Sequence, residues 1–415
     1  MPESSSASET RALARLAAVE LAGAATGVGA VHRAISDRVF AGVRRGVGPP
    51  ATAVQTVHDL IAGGVYQAIS QTLQAGAELA DVAPGLDALP APSGTDTGAG
   101  LLGILHGLRG DALTIDAPAL TPPMTVRCDN VVVPLDRPGL RAAFPTAGPR
   151  IAVFLHGLME TEHAWRHGEG PSYAERLAAD LGYSPVLLRY NTGRHISDNG
   201  AELDRLLTEL VSHWPVPVTE IALIGHSMGG LVGRSACHSA VGADWVDLVR
   251  STVSLGSPHF GAPLAQLVHV GSAALAWLPE TRPFANLLRR RSAGIRDLRG
   301  GSLVEQDWRD RDADALAAVA AAEVPLLPSA RHYFISASLT RNPRHPVGRI
   351  VGDGLVLVPS ARGHNRRRQV GFTPDSGIHL GSTSHFGLLN CDAGYTALRD
   401  WLAPTEHPAD VVRKI

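Results

Sequence analysis

Glu220-Ile-Ala-Leu-Ile-Gly225-His226-Ser227-Met228-Gly229-Gly230 is an apolar run that ends in Gly-His-Ser-Met-Gly. Its first six residues have the unbroken hydrophobicity of a short strand buried on both faces. Met228 to Val241 then reads as a helix with small residues on its near face. Between the two, the G-x-S-x-G pattern calls for a sharp strand-to-helix turn that leaves the Ser227 hydroxyl exposed. Side chains at Gly225 and Gly229 would crowd such a turn, and Gly230 removes bulk where the helix packs. The pentapeptide alone is weak, but strand, turn and helix around it make it informative.

Upstream, Ile151 to Leu155 is a second short apolar strand that runs directly into His156-Gly157-Leu158. Further strands are expected at Pro185–Tyr190, Ser251–Leu255 and Tyr333–Ala337, with an early antiparallel one over Thr125–Val133. Ser172–Leu181 and Glu202–Trp214 read as helices. The second carries Leu203, Leu206, Leu207, Leu210 and Val211 at helical spacing, with Ser197 or Asn199 as its cap. Strands alternating with helices predict the α/β class, a mostly parallel sheet covered on both faces.

Serine is a poor nucleophile until a histidine takes its proton and an acid orients that histidine. After such an elbow the acid and then the histidine follow in the chain. Asp353, in Ile350-Val-Gly-Asp353-Gly-Leu-Val356, occupies the late turn where the acid belongs, with Asp375 as its rival. His385, in Ser384-His385-Phe-Gly-Leu-Leu389 at the start of the last helix, is the expected base, ahead of His364 and His379. Two backbone N–H donors must face the developing oxyanion. Met228 supplies one and Leu158, after His156-Gly157, the other. His156 and His226 are expected to pack and hydrogen-bond, and His259 to line the pocket.

The chain has 415 residues, enough for a large domain with an appendage, and 45% of them are hydrophobic, enough for a sizeable core. A net charge of −2 gives no electrostatic reason to expect nucleic acid as a partner. Three scattered cysteines, Cys128, Cys237 and Cys391, suit neither a disulfide framework nor a zinc site. A reducing, cytoplasmic compartment is the simplest inference. No metal or organic cofactor is implied. Leu16–Val31 is interrupted by Glu20 and too rich in Ala and Gly for a spanning helix. Glu3 and Glu9 make the N-terminus a poor signal peptide.

Residues 1–100 read as a helical N-terminal segment and linker, and residues 101–415 as the α/β domain. A polar tail is followed by Ala-rich helices over Glu9–Val43 and Ala53–Val82, broken at Gly46-Val-Gly-Pro-Pro50. Val54, Val57, Leu60, Ile61, Val65 and Ile69 give the second helix an apolar face. That face needs the main domain as partner or, as the alternative, a membrane surface or a second copy. Pro84–Gly100 has linker composition. Within the α/β domain the alternation lapses over about 262–330. Leu264, Leu267, Val268, Leu275, Trp277 and Leu278 there would suit a helical lid or an ordinary helical layer.

Five stretches carry a family resemblance: Phe154–Trp165, Leu188–Arg194, Gly225–Leu231, Leu255–Ala262 and Gly352–Val356. Over roughly residues 125–402 the chain resembles bacterial lipases and esterases of the α/β-hydrolase superfamily related to the glycosylphosphatidylinositol inositol-deacylase group. The resemblance implies an α/β-hydrolase fold and serine ester hydrolysis with Ser227, Asp353 and His385 as the triad. Small-molecule or lipid esters would be the substrates. The same residues would serve an acyltransferase. The non-enzymatic alternative is a membrane-surface protein on a hydrolase-like fold.

Overall fold

Eight short strands pair into one sheet: β1 Thr125–Cys128, β2 Val131–Val132, β3 Arg150–Leu155, β4 Ser184–Arg189, β5 Glu220–His226, β6 Val249–Leu255, β7 Arg331–Ser338 and β8 Gly377–Gly381. Their order across the sheet is β2-β1-β4-β3-β5-β6-β7-β8. β1 runs antiparallel to β2 and β4, while every pairing from β4 to β8 is parallel. The computed structural model describes residues 8–19, 37, 67, 70–71, 90–262, 292–311, 321–342, 345–365, 368–373 and 375–404.

Two compact units divide the chain. One comprises residues 1–102, 111–121 and 266–291, the other residues 103–110, 122–265 and 292–415. The whole sheet belongs to the second. In the first, residues 8–19 are helical, and Glu9 accepts hydrogen bonds from Ser93 N and Oγ at 3.0 and 2.8 Å.

Alternation along the central strands builds two cores. Ile151, Val153 and Leu155 of β3 join Ile221 and Leu223 of β5 on one face, against Leu203, Leu207 and Leu210 of the helix Ile196–His213. Ala152, Phe154, Ala222 and Ile224 face the other way, against Leu177 of the helix Tyr173–Leu181 and Leu398 and Leu402 of the helix Asp392–Leu402. Each fully buried Leu or Ile contributes roughly 1.5–3 kcal/mol relative to exposure. Both faces are therefore held by many such side chains, which is what a parallel sheet requires. At the N-terminal end of β3, Arg150 gathers Glu220 Oε2 at 3.0 Å, Leu181 O at 2.9 Å and Leu402 O at 2.8 Å.

From β3 the chain crosses to β4 on one side, then returns to place β5 on the other. The crossovers thus leave in opposite directions at the carboxyl ends of β3 and β5, opening a crevice there. Register pairs Leu155 with Gly225 and His226 with Leu255. The loops after β3, β5 and β6 consequently emerge at one level.

Several expectations need correction. Thr125–Val133 is a hairpin rather than one strand, turned by Asp129 (φ 47°) and Asn130 (φ 66°); Asn and Asp tolerate this left-handed backbone better than most residues. The helix expected from Glu202 begins at Ile196, so Ser197 and Asn199 lie inside it. Its first N–H is taken by distant Asp297 Oδ2 at 2.8 Å, a cap that no local pattern announces. The expected linker gives way at Asp96 to a helix reaching Asp116, with the Thr95 hydroxyl accepting from Gly98 N. Gly377–Gly381 is a strand that the sequence reading did not assign. The last helix starts at Asp392, and His385 instead precedes a 3-10 turn, Phe386–Leu389.

The apolar face Val54–Ile69 and the expected lid residues Leu264–Leu278 lie outside the described residues. Within the expected insertion, Ala293–Gly300 is helical. Among the described residues no helix is long and apolar enough to cross a membrane.

Candidate active site

Ser227 sits between the end of β5 and the helix Met228–Ser239 with φ 52° and ψ −120°. A non-glycine residue held there is strained, and its backbone turns sharply enough to lift the side chain out of the sheet. A Cβ at Gly225 would lie 2.3 Å from Gly230 N, so the strand and helix approach too closely for any side chain. Ser227 N donates to Leu255 O at 2.8 Å, pinning the elbow to β6. The hydroxyl-bearing residue stays partly exposed while its neighbours His226 and Met228 are buried.

His385 and Asp353 meet on the loops beyond β7 and β8. His385 Nδ1 lies 2.8 Å from Asp353 Oδ2, with both side chains buried. Asp353 Oδ1 accepts from Leu355 N and Val356 N at 3.0 and 2.8 Å, so the carboxylate is held on both oxygens. His385 N also donates to Asp353 O at 2.9 Å, which fixes the two loops by backbone as well as by side chain. Gly256, one residue after the Leu255 carbonyl that holds Ser227, has φ 60°. A Cβ there would lie 3.2 Å from His385 Cε1. The histidine ring therefore rests against the strand end to which the elbow is bound.

The loop after β3 closes on itself. Glu160 N donates to Gly157 O at 3.2 Å, and Gly157 N donates to Glu160 Oε2 at 2.5 Å. Met159 takes φ 62° and its N–H reaches Thr192 Oγ1 at 3.2 Å. Among the described residues no backbone carbonyl accepts from Leu158 N or Met228 N. A Cβ at Gly157 would lie 3.1 Å from Ser227 Cβ, so this loop abuts the elbow. Leu158 and Met228 therefore flank the strained serine, one on each of the two segments that meet there.

The rivals are elsewhere. His379 is on β8, its two ring nitrogens 3.1 and 3.0 Å from the hydroxyls of Ser336 and Ser338. Asp375 and His364 are exposed. His156 is fully buried, stacked on Tyr190, and burial lowers its pKa to about 4. His259 is buried too, with Nδ1 3.2 Å from Arg234 and its ring against Phe372. Sequence reasoning gave no role to Glu160. The clue was an acid directly after the apolar pair Leu158-Met159 that follows His156-Gly157.

Strand order, the switch in crossover direction, and the elbow after β5 with acid and histidine beyond β7 and β8 decide the architecture. The chain has the α/β-hydrolase fold. The family model of the PGAP1-like alpha/beta domain matches residues 190–273, the stretch from the end of β4 through the elbow and past β6. No curated protein sequence matches the chain. Solved α/β-hydrolase structures with a likeness to it include a lipase of Bacillus licheniformis in its propeptide form. That lipase is 19% identical with a TM-score of 0.43, the match covering 62% of this chain and 51% of that one. The chain thus spans about half the length of that lipase. An esterase of Pyrococcus furiosus is 14% identical with a TM-score of 0.35, covering 62% and 83%. One from Pyrobaculum calidifontis is 16% identical with a TM-score of 0.33, covering 62% and 74%.

Proposed function

We propose that this α/β-hydrolase cleaves carboxylic esters, lipophilic acyl esters foremost, through an acyl-serine intermediate. The observation that carries the reading is the buried 2.8 Å contact between His385 Nδ1 and Asp353 Oδ2 beside a strained, partly exposed serine. In this reading Ser227 Oγ attacks the ester carbonyl while His385 Nε2 takes its proton, and the N–H groups of Leu158 and Met228 hold the oxyanion. Collapse of the tetrahedral species breaks the bond to the alcohol, which leaves with the proton from His385. Water then attacks the acyl-serine with His385 again as base, releasing the acid and restoring Ser227. Asp353 keeps the proton of the histidine on Nδ1 throughout. The apolar composition of residues 262–330 supports acyl over small charged esters. The chemistry is assigned to residues 101–415, and residues 1–100, a helical N-terminal segment, supply no catalytic group.

A p-nitrophenyl ester series from acetate to palmitate, together with fluorophosphonate labelling, tests this. The wild-type protein should label on Ser227. Ser227→Ala should lose the label and on the order of 10⁴ to 10⁶ in rate while keeping its fold. A folded Ser227→Ala protein with near wild-type activity would sink the reading.

A further inference from the structure

His226 is fully buried and Glu160 nearly so, where the loop after β3 meets the loop that carries His385. Glu160 Oε2 lies 2.5 Å from Gly157 N and 3.0 Å from His226 Nδ1. On the other side of the ring, His226 Nε2 lies 3.2 Å from His385 O. Both partners of the ring, a carboxylate and a carbonyl, accept hydrogen bonds and have no hydrogen to give. A neutral imidazole carries one N–H and can serve only one of them; serving both takes the imidazolium.

We infer that His226 and Glu160 form a buried imidazolium–carboxylate pair that positions the oxyanion loop at Gly157 and the base loop at His385 through one chain of hydrogen bonds. The inference rests on the ester-hydrolysis reading above for what is positioned, but not for the charge state itself. Glu160 and Asp353 are the acidic groups around the ring, and the His385 ring lies 4.7 Å away between centroids. Trp165 and Phe386 contribute only ring contacts. Burial works against charge on His226, yet Glu160, its hydrogen bond, the His385 carbonyl and Asp353 together hold the pKa above the ordinary histidine value. Burial likewise opposes charge on Glu160, but His226 and the Gly157 N–H bring its pKa down to about 2. Neither residue has a route to the reacting atoms except through the groups it holds, so both are positioning residues.

Glu160→Gln keeps the shape of the side chain and an oxygen to accept from Gly157, but removes the charge that keeps His226 protonated. In that variant burial leaves the His226 ring neutral, so it loses one of its two hydrogen bonds and the two loops are no longer tied. On p-nitrophenyl butyrate, kcat should fall about 10- to 100-fold at about pH 8 with KM changed far less, the loss expected when reacting groups are slightly misplaced. The ratio of variant to wild-type kcat should climb as pH rises from about 7 to about 10, because the wild-type His226 then gives up its proton while the variant ring is already neutral. A ratio that stays flat across this range would mean that the pair merely fills space, and would overturn the inference. Independently of activity, ¹⁵N-edited spectra of the histidine-labelled wild-type protein should show both His226 ring nitrogens still protonated above the ordinary histidine range. A ring with one proton there overturns the charged pair even if Glu160→Gln fails to fold. Failure of the ester-hydrolysis reading shows separately, as undiminished activity in Ser227→Ala.

Discussion

Asp353 receives one histidine nitrogen on Oδ2 and two backbone N–H groups on Oδ1, and it has no freedom left to turn. If it orients His385 as proposed, Asp353→Asn should slow ester turnover by up to about 10⁴, because the amide favours the wrong tautomer. His385→Ala should be at least as severe. Groups that act as one unit lose their effect together, so Asp353→Asn in a His385→Ala background should cost little more. Steady-state kinetics on the two single variants and the double variant checks this; strictly additive losses would mean that the residues act apart. His379→Ala should be mild, since its ring nitrogens are held by the hydroxyls of Ser336 and Ser338, away from Ser227 and Asp353. Candidate residues were legible at this scale because an elbow fixes what must follow it in the chain. The Glu160–His226 pair was not, since its members are 66 residues apart and only the strand register brings them level.

Among the elements, β3, β5 and the elbow helix were readable because a buried parallel strand shows as an unbroken apolar run. Strand β8 was not. Gly377-Ile-His-Leu-Gly381 is short, ends in glycine on both sides and is only half-buried along its length, so it shows neither alternation nor a continuous apolar run. The start of the helix Ile196–His213 was misread for a different reason: its capping group comes from 101 residues away. Asp297 also lies 3.1 Å from His195 Nδ1, and it joins the helix Ala293–Gly300, in which it sits, to the start of the helix Ile196–His213. Asp297→Ala should therefore free Ile196 N and cost about 0.5–2 kcal/mol, the range for losing a helix cap. Urea denaturation of the variant measures that loss, and an unchanged midpoint would show that the bond contributes nothing. Asp297→Asn, which keeps an acceptor oxygen, should recover part of it.

Taken as a whole, the molecule buries histidines whose pKa values are shifted in opposite directions, and its stability should depend on pH accordingly. His156 is fully buried with its pKa lowered from 6.5 to about 4. Between those values the unfolded chain binds a proton that the native state refuses, so stability falls as pH falls through that window. At about 1.4 kcal/mol per unit the loss approaches about 3 kcal/mol by pH 4. His259, pushed well below its ordinary value by burial and then by Arg234, acts in the same direction. His226 acts in the opposite sense. Its raised pKa gives stability that is complete below the unfolded value and is lost as pH rises through the folded one. Glu160 contributes above the ordinary carboxyl range and loses its contribution only as pH falls toward about 2. Urea midpoints should thus peak near neutrality and drop on the acid side. His156→Gln should flatten the acid limb, and an acid limb as steep as that of the wild type would mean that other groups govern it.

The sheet order has a further consequence in the order in which a ribosome delivers its parts. β3, β4 and β5 can pair while the rest of the chain is unmade, and the strained serine emerges with them. Asp353 arrives only after β7, and His385 follows 32 residues later, beyond β8. Domains mature from the N-terminal side during synthesis. On the proposed chemistry, a growing or prematurely released chain carries an elbow with neither base nor acid to arm it. Hydrolytic power is withheld until the last strand is laid down, so an abortive fragment leaves the esters around it intact.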